Sequence, residues 1–231
     1  MLDFDRFELL TFDCYGTLID WEAGILSALR PLLQAHAVDI SENAILELYA
    51  RFESAAEMGE YRSYRKVLRQ VVDDFGRESG FTPTAAERLC LVESLAAWPP
   101  FEDTVVSLRK LHSRYQLGIF SNIDADLFES TATQLGVDFD HVVTASRLRT
   151  YKPASEFFQR ALAEVGVATN RILHVAQSLH HDIAPARELG LCTVWVDRRR
   201  DREGFGATPP AQAAPDLIVP DLGALVNVMG L

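Results

Sequence analysis

Asp13 stands at the exit of an apolar run and is followed at once by a Gly-Thr turn, in the stretch LLTFDCYGTLIDW. Asp is poor in strands and is seldom buried without a partner. The carboxyl end of a buried strand is nevertheless where open α/β sheets keep their chemistry. Three more polar positions follow apolar runs in the same way: Ser121-Asn122, Lys152-Pro153 and Asp182. A lone Asp after a strand reads as a cap, and a lone Lys-Pro as a solvated loop. Four such groups in succession read as one crevice at the carboxyl ends of the strands.

The elements that must position these groups are short apolar runs bounded by turn residues, at Leu9–Phe12, Leu117–Phe120, His141–Thr144, Ile172–Ala176, Cys192–Val196 and Leu217–Val219. Between most of them lie segments of helical period, at Asp103–Arg114, Asp124–Leu135, Ser155–Val165 and Asp182–Leu189, with Gly136, Gly166 and Gly190 as helix stops. Strands alternating with helices predict a mostly parallel sheet. The rhythm fails from Ile19 to Trp98, where apolar residues fall only at helical spacing, as in Val67, Leu68, Val71, Val72 and Phe75. The expected fold is therefore α/β, a Rossmann-like core of residues 1–18 and 101–231 with an inserted all-helical cap domain at 19–100. The segment DRRRDREGFGATPPAQAAP is expected to be a long exposed loop.

At 231 residues with 48% hydrophobic composition, the chain can bury a substantial core, and its composition argues against disorder. A formal charge of −11 argues against nucleic acid, whose phosphates reward clustered Lys and Arg. Cys14, Cys90 and Cys192 lack metal-ligand spacing and fit a reducing compartment. The acidic start MLDFDRFELL is unlike a signal peptide, and no run reaches the about 18 apolar residues of a membrane span. A cytoplasmic location is expected, with a small anionic substrate, no nucleic acid and no membrane; a homodimer is left open.

With FDCYGT at 12–17, FSN at 120–122, YKP at 151–153 and HVAQSLHHDIAPA at 174–186, the sequence resembles the haloacid dehalogenase superfamily of hydrolases. The resemblance spans almost the whole chain in the family's order. It implies a mobile cap over the site and an Asp13 nucleophile. Thr17 and Ser121 would hold that nucleophile and the forming intermediate, Lys152 would supply the counter-charge, and Asp182 would orient Lys152 and the hydrolytic water.

Within that family the electrophile divides the members. Phosphatases carry a second Asp two residues after the nucleophile and an acid early in the fourth motif that holds magnesium. Here those positions are Tyr15 and Gln177. Phosphoryl transfer without the metal lacks its charge neutralisation. A halide leaves carbon without a proton, and Asp13-Cys14-Tyr15-Gly16-Thr17 matches the (S)-2-haloacid dehalogenase subgroup. The resemblance then implies Arg51 as the cap clamp for a substrate carboxylate, with Arg62 and Arg65 as rivals. Asn122 would donate to the halide or the carboxylate, and Tyr15, Phe158 and Ser178 would complete the substrate site. Phe158 stands where that subgroup has Tyr, and the fourth motif, with Gln177, Ser178, His180 and His181, carries one extra residue. His180 and His181 are expected to pack or meet solvent rather than act as bases. Hydrolytic dehalogenation of a short (S)-2-haloacid, without metal or cofactor, is the expected activity. Attack on another activated carbon such as a strained C–N bond, a magnesium-dependent phosphatase, and a silent binding protein are the alternatives.

Overall fold

A computed structural model describes residues 2–231. Six parallel strands form one sheet in the order β3-β2-β1-β4-β5-β6: β1 (Leu9–Phe12), β2 (Gln116–Ser121), β3 (His141–Thr144), β4 (Ile172–Ala176), β5 (Cys192–Val196) and β6 (Leu217–Val219). The apolar runs became strands because both faces of this sheet are covered: every residue of β1 and β4 is buried. The order reverses at β1, whose neighbours are β2 on one side and β4 on the other. A crevice opens at such a reversal.

Between β1 and β2 there is no strand, and helices fill the interval: α1 (Trp21–Ala35), α2 (Glu42–Glu57), α3 (Tyr64–Ser79) and α4 (Cys90–Ser94). The stripe Ile45, Leu46, Tyr49, Ala50, Phe52, Glu53 and Ala56 is the buried face of α2. Ser63, the residue before α3, makes no side-chain cap; instead Asp124, from the loop after β2, accepts hydrogen bonds from the Tyr64 and Arg65 amides at 3.0 and 3.1 Å. The helical segment thus begins one of its helices on a carboxylate of the sheet region.

The remaining helices are α5 (Thr104–His112), α6 (Ala125–Leu135), α7 (Ala145–Leu148), α8 (Ser155–Val165), α9 (Ala184–Glu188) and α10 (Leu222–Val228). Gly136 and Gly166 close α6 and α8 in the left-handed conformation. The fourth helical pattern does not run as one α-helix from Asp182. It begins with a wide turn over Leu179–Ile183, in which the Ile183 amide reaches back to the Ser178 carbonyl at 3.1 Å. A five-residue turn accommodates one residue more than an α-turn, and the extra residue of the fourth motif is taken up here.

The segment expected as an exposed loop is a correction. Residues 206–208 are buried, held by Glu22 of α1, which accepts from Arg199, from Arg202 at 3.1 Å and from the Ala207 amide at 3.1 Å. Its arginines had read as solvated charge, but two of them pair with one buried carboxylate and carry the loop inward.

Candidate active site

Phe12 ends β1, and the Asp13 amide still donates to Val175 of β4 at 3.2 Å, so the sheet ladder fixes the backbone up to the carboxylate. The chain then turns tightly: the Cys14 carbonyl accepts from the Leu18 and Ile19 amides at 2.8 and 3.0 Å. Gly16 has φ +96°, and a Cβ there would meet Trp21 Nε1 at 2.9 Å, so both the conformation and the space demand glycine. The turn brings the Thr17 hydroxyl back to donate to Asp13 Oδ2 at 2.8 Å, while the Thr17 hydroxyl oxygen itself accepts from the Gln177 amide at 2.9 Å.

Lys152 is 1% exposed and its ammonium donates to Asp13 Oδ1 at 3.0 Å, Asp182 Oδ1 at 2.6 Å and the Phe120 carbonyl at 2.8 Å. Asp182 Oδ1 also meets His174 Nε2 at 3.0 Å, and His174 Nδ1 meets the Thr11 hydroxyl at 2.9 Å. Because a carboxylate only accepts, His174 Nε2 carries a proton and donates it to Asp182. Burial by itself would drive the ammonium's pKa down, but Asp13 and Asp182 hold it above the ordinary lysine value. Burial likewise works against ionised Asp182, yet Lys152 and His174 keep it below the usual carboxylate range. Burial lifts Asp13 above that range, against the pull of Lys152. Asp182, with two partners on Oδ1, is the carboxylate more firmly neutralised.

An inner cavity above Asp13 is lined by Tyr15, Trp21, Ser121, Asn122, Ser178 and Asp182, among others. It has about 30 Å³ of free space, room for about one or two waters. Lys152 and His181 also line a wider vestibule of about 520 Å³, with Glu57, Tyr61 and Arg149 on its walls. Five of the groups expected from sequence, Asp13, Thr17, Ser121, Lys152 and Asp182, thus meet at one place. The Tyr15 hydroxyl bonds Thr131 at 2.7 Å, and burial keeps it protonated, so position 15 offers no carboxylate and no free base. Asn122 lines the cavity, but its amide is occupied. It accepts from the Lys152 amide at 2.7 Å and donates to the Lys152 carbonyl at 2.9 Å, which positions the lysine's loop. Ser178 lines it too, its hydroxyl accepting from the His181 amide at 2.8 Å. His181 lies against the cavity; desolvation pushes its pKa down to about 3, so its ring is neutral.

Two expected substrate contacts are corrected. Arg51 is not at the cavity: two residues from both Tyr49 and Glu53, it points off the opposite face of α2, is half exposed and pairs with Glu78 at 3.0 Å. Arg62 and Arg65 do not replace it. Arg65 pairs with Asp126, the Arg62 carbonyl accepts from Tyr151 at 2.9 Å, and neither side chain lines the cavity. Phe158 is fully buried against Phe120, Phe157 and His174, because α8 turns it toward the sheet rather than the crevice.

Three lining residues had gone unread. Thr208 arrives on the buried part of the long loop and donates to Gln177 Oε1 at 3.3 Å. Glu53 and Tyr64 come from α2 and α3. Glu53 is 4% exposed, and its Oε1 accepts from the hydroxyls of Tyr49, at 2.9 Å, and Tyr64. The available signal was position: Glu53 falls four residues after Tyr49, on the apolar stripe.

A parallel α/β sheet with a buried carboxylate and ammonium at its reversal point defines the Rossmann-like hydrolase class. The sequence model of the haloacid dehalogenase-like hydrolases matches residues 7–190, and the chain belongs to that family. It is 26% identical over 212 residues to an (S)-2-haloacid dehalogenase of Pseudomonas sp. strain YL, covering 89% of each chain. A phosphoserine phosphatase of Thermus thermophilus is 27% identical over 79% of this chain and 73% of its own. The fold matches that of the L-2-haloacid dehalogenase of Xanthobacter autotrophicus with chloropropionic acid covalently bound. There the TM-score is 0.79 and the identity 20%, with 97% of this chain and 98% of that one covered.

Proposed function

We propose that this chain hydrolyses a small substrate by displacing a leaving group from carbon through an ester on Asp13. Dehalogenation of a short (S)-2-haloacid is the leading reaction. The observation that carries the reading is the clamp on Asp13: Thr17 on one oxygen, Lys152 on the other, at the exit of a fully buried strand. A carboxylate fixed and partly stripped of water needs little reorganisation to attack, and positioning supplies part of the barrier reduction. Ser121 lines the same cavity as a donor for substrate oxygens. Residues 19–100 act as the cap and 1–18 with 101–231 as the core. The likeness to haloacid dehalogenases over 89% of the chain supports halide as the leaving group.

The residues at 15 and 177 favour this reading over phosphoryl transfer. Tyr15 is tied to Thr131 and Gln177 accepts from Thr208, so neither adds a carboxylate beside Asp13 to hold a hard cation. Turnover is accordingly metal-independent in this proposal.

The test is a single turnover of 2-chloropropionate with excess enzyme, in heavy-oxygen water with chelator present. Hydrolysis of the ester at the carboxyl carbon places the heavy oxygen in Asp13 and an unlabelled oxygen in the product. Asp13→Asn abolishes turnover while the fold survives. Label passing straight into product, or a strict need for magnesium, overturns the reading.

A further inference from the structure

Displacement of a halide leaves Glu53 without a role, yet Glu53 lines the same cavity as Asp13. With about 30 Å³ of free space, that cavity sets the carboxyl of α2 and the carboxylate after β1 around one small reacting centre. Glu53 Oε1 accepts from the hydroxyls of Tyr49, at 2.9 Å, and of Tyr64. Its Oε2 has no partner among the described residues, and unlike Asp182 Oδ2 it is not sealed from free space. Two donors on one oxygen leave the other as the seat of a proton. Burial, above all, holds that proton on, lifting the carboxyl's pKa to about 7 against the pull of both tyrosines. Lys152 offsets Asp13 and Asp182, so a protonated Glu53 leaves the lining open to an anionic substrate.

A halide departs from carbon as a stable anion and takes no proton. An oxygen leaving group departs as an alkoxide, and an acid held beside it contributes about 10²- to 10⁴-fold. The cavity thus pairs a nucleophile with a proton donor that its leading reaction does not use. Strain helps the same step: a three-membered ring opens at carbon under carboxylate attack once its oxygen can be protonated.

We propose that Glu53 is a general acid and that the site also opens a short 2,3-epoxy acid, which keeps the carboxylate and the reacting carbon of a 2-haloacid. The proposal rests on the Asp13 ester of the displacement reading and changes only the leaving group. Attack by Asp13 on C2 forms the ester bond and breaks the C2–O bond of the ring. The freed oxygen stays on C3 and takes the proton of Glu53 Oε2. Water then attacks the carboxyl carbon of Asp13; one of its protons goes to the departing C2 oxygen and the other restores Glu53. The product is the 2,3-dihydroxy acid, with no oxidant or second substrate.

Sodium glycidate and 2-chloropropionate, each given to wild type and to Glu53→Gln in heavy-oxygen water, test it. Gln keeps an oxygen for both tyrosines but has no acidic proton to give. The wild type converts glycidate to glycerate, and Glu53→Gln lowers that turnover at least tenfold more than it lowers release of chloride. Glycidate untouched by the wild type, or both substrates losing turnover alike in the variant, overturns the proposal. Should the wild type release no chloride, halide falls as the leaving group, and a tenfold loss on glycidate in a variant of unchanged melting temperature still upholds Glu53. Failure of the ester reading shows separately, as heavy oxygen passing straight into glycerate and missing from Asp13.

Discussion

Thr17 and Lys152 hold the two oxygens of Asp13, and neither contact asks anything of the helical segment above. Glu53 is the residue on which that segment bears upon the site. Burial lifts its pKa from an ordinary 4.5 to about 7, against the lowering effect of the Tyr64 and Tyr49 hydroxyls, with Asp13 adding to the rise. Glu57 is the other acid beside it, itself held well above the usual range first by burial and then by Glu53. Because the folded pKa lies above the unfolded one, the stabilising form is the protonated acid. Its contribution is complete below about pH 4.5 and is lost as pH rises through about 7. That gap corresponds to about 3 kcal/mol. Melting curves of wild type and Glu53→Gln should therefore diverge across this window, the wild type losing stability relative to the variant as pH rises. Parallel curves would place the titration elsewhere.

Among the elements, the strands were legible from sequence because a sheet covered on both faces leaves no polar alternation, and such runs can hardly be anything else. The four polar groups at strand ends were legible because the parallel topology brings strand ends together. Arg51 was misplaced because family resemblance fixes the order of elements but not which face of a cap helix a residue takes. The stripe of α2 could have corrected it, since Arg51 lies off the line of Ile45, Tyr49, Phe52 and Ala56 while Glu53 lies on it. Thr208 was illegible for another reason. A run of Arg and Asp reads as solvated unless the partner that buries it is known, and Glu22 is distant in sequence by 185 residues from Ala207. Glu22 is 6% exposed, and removing its charge leaves the largely buried Arg199 unmatched. Glu22→Gln should cost about 3 kcal/mol in chemical denaturation. It should also lower turnover by freeing the loop that carries Thr208, whereas a purely peripheral loop would lose stability alone.

On the scale of the whole molecule, the inner cavity, with about 30 Å³ of free space, lies beside the wider vestibule of about 520 Å³, with which it shares Lys152 and His181. Among the described residues no helix is long and apolar enough to cross a membrane. In the proposed reading the helical segment moves against the sheet to admit substrate, and α3 is the helix tied across that boundary. Its first turn is capped by Asp124, a residue of the sheet region. An opening that parted α3 from Asp124 would strip two amides of their acceptor, and a lost cap costs about 1 kcal/mol. On that reading the cap behaves as a sprung door, because α3 would be incomplete while it stood open. Asp124→Ala removes the spring, so the Tyr64 and Arg65 amides should exchange with deuterium several-fold faster, with strand β1 unchanged. An enzyme so altered would admit its substrate readily and hold it poorly. The dwell time of a bound molecule, and not only its fit, is thus written into where one helix begins.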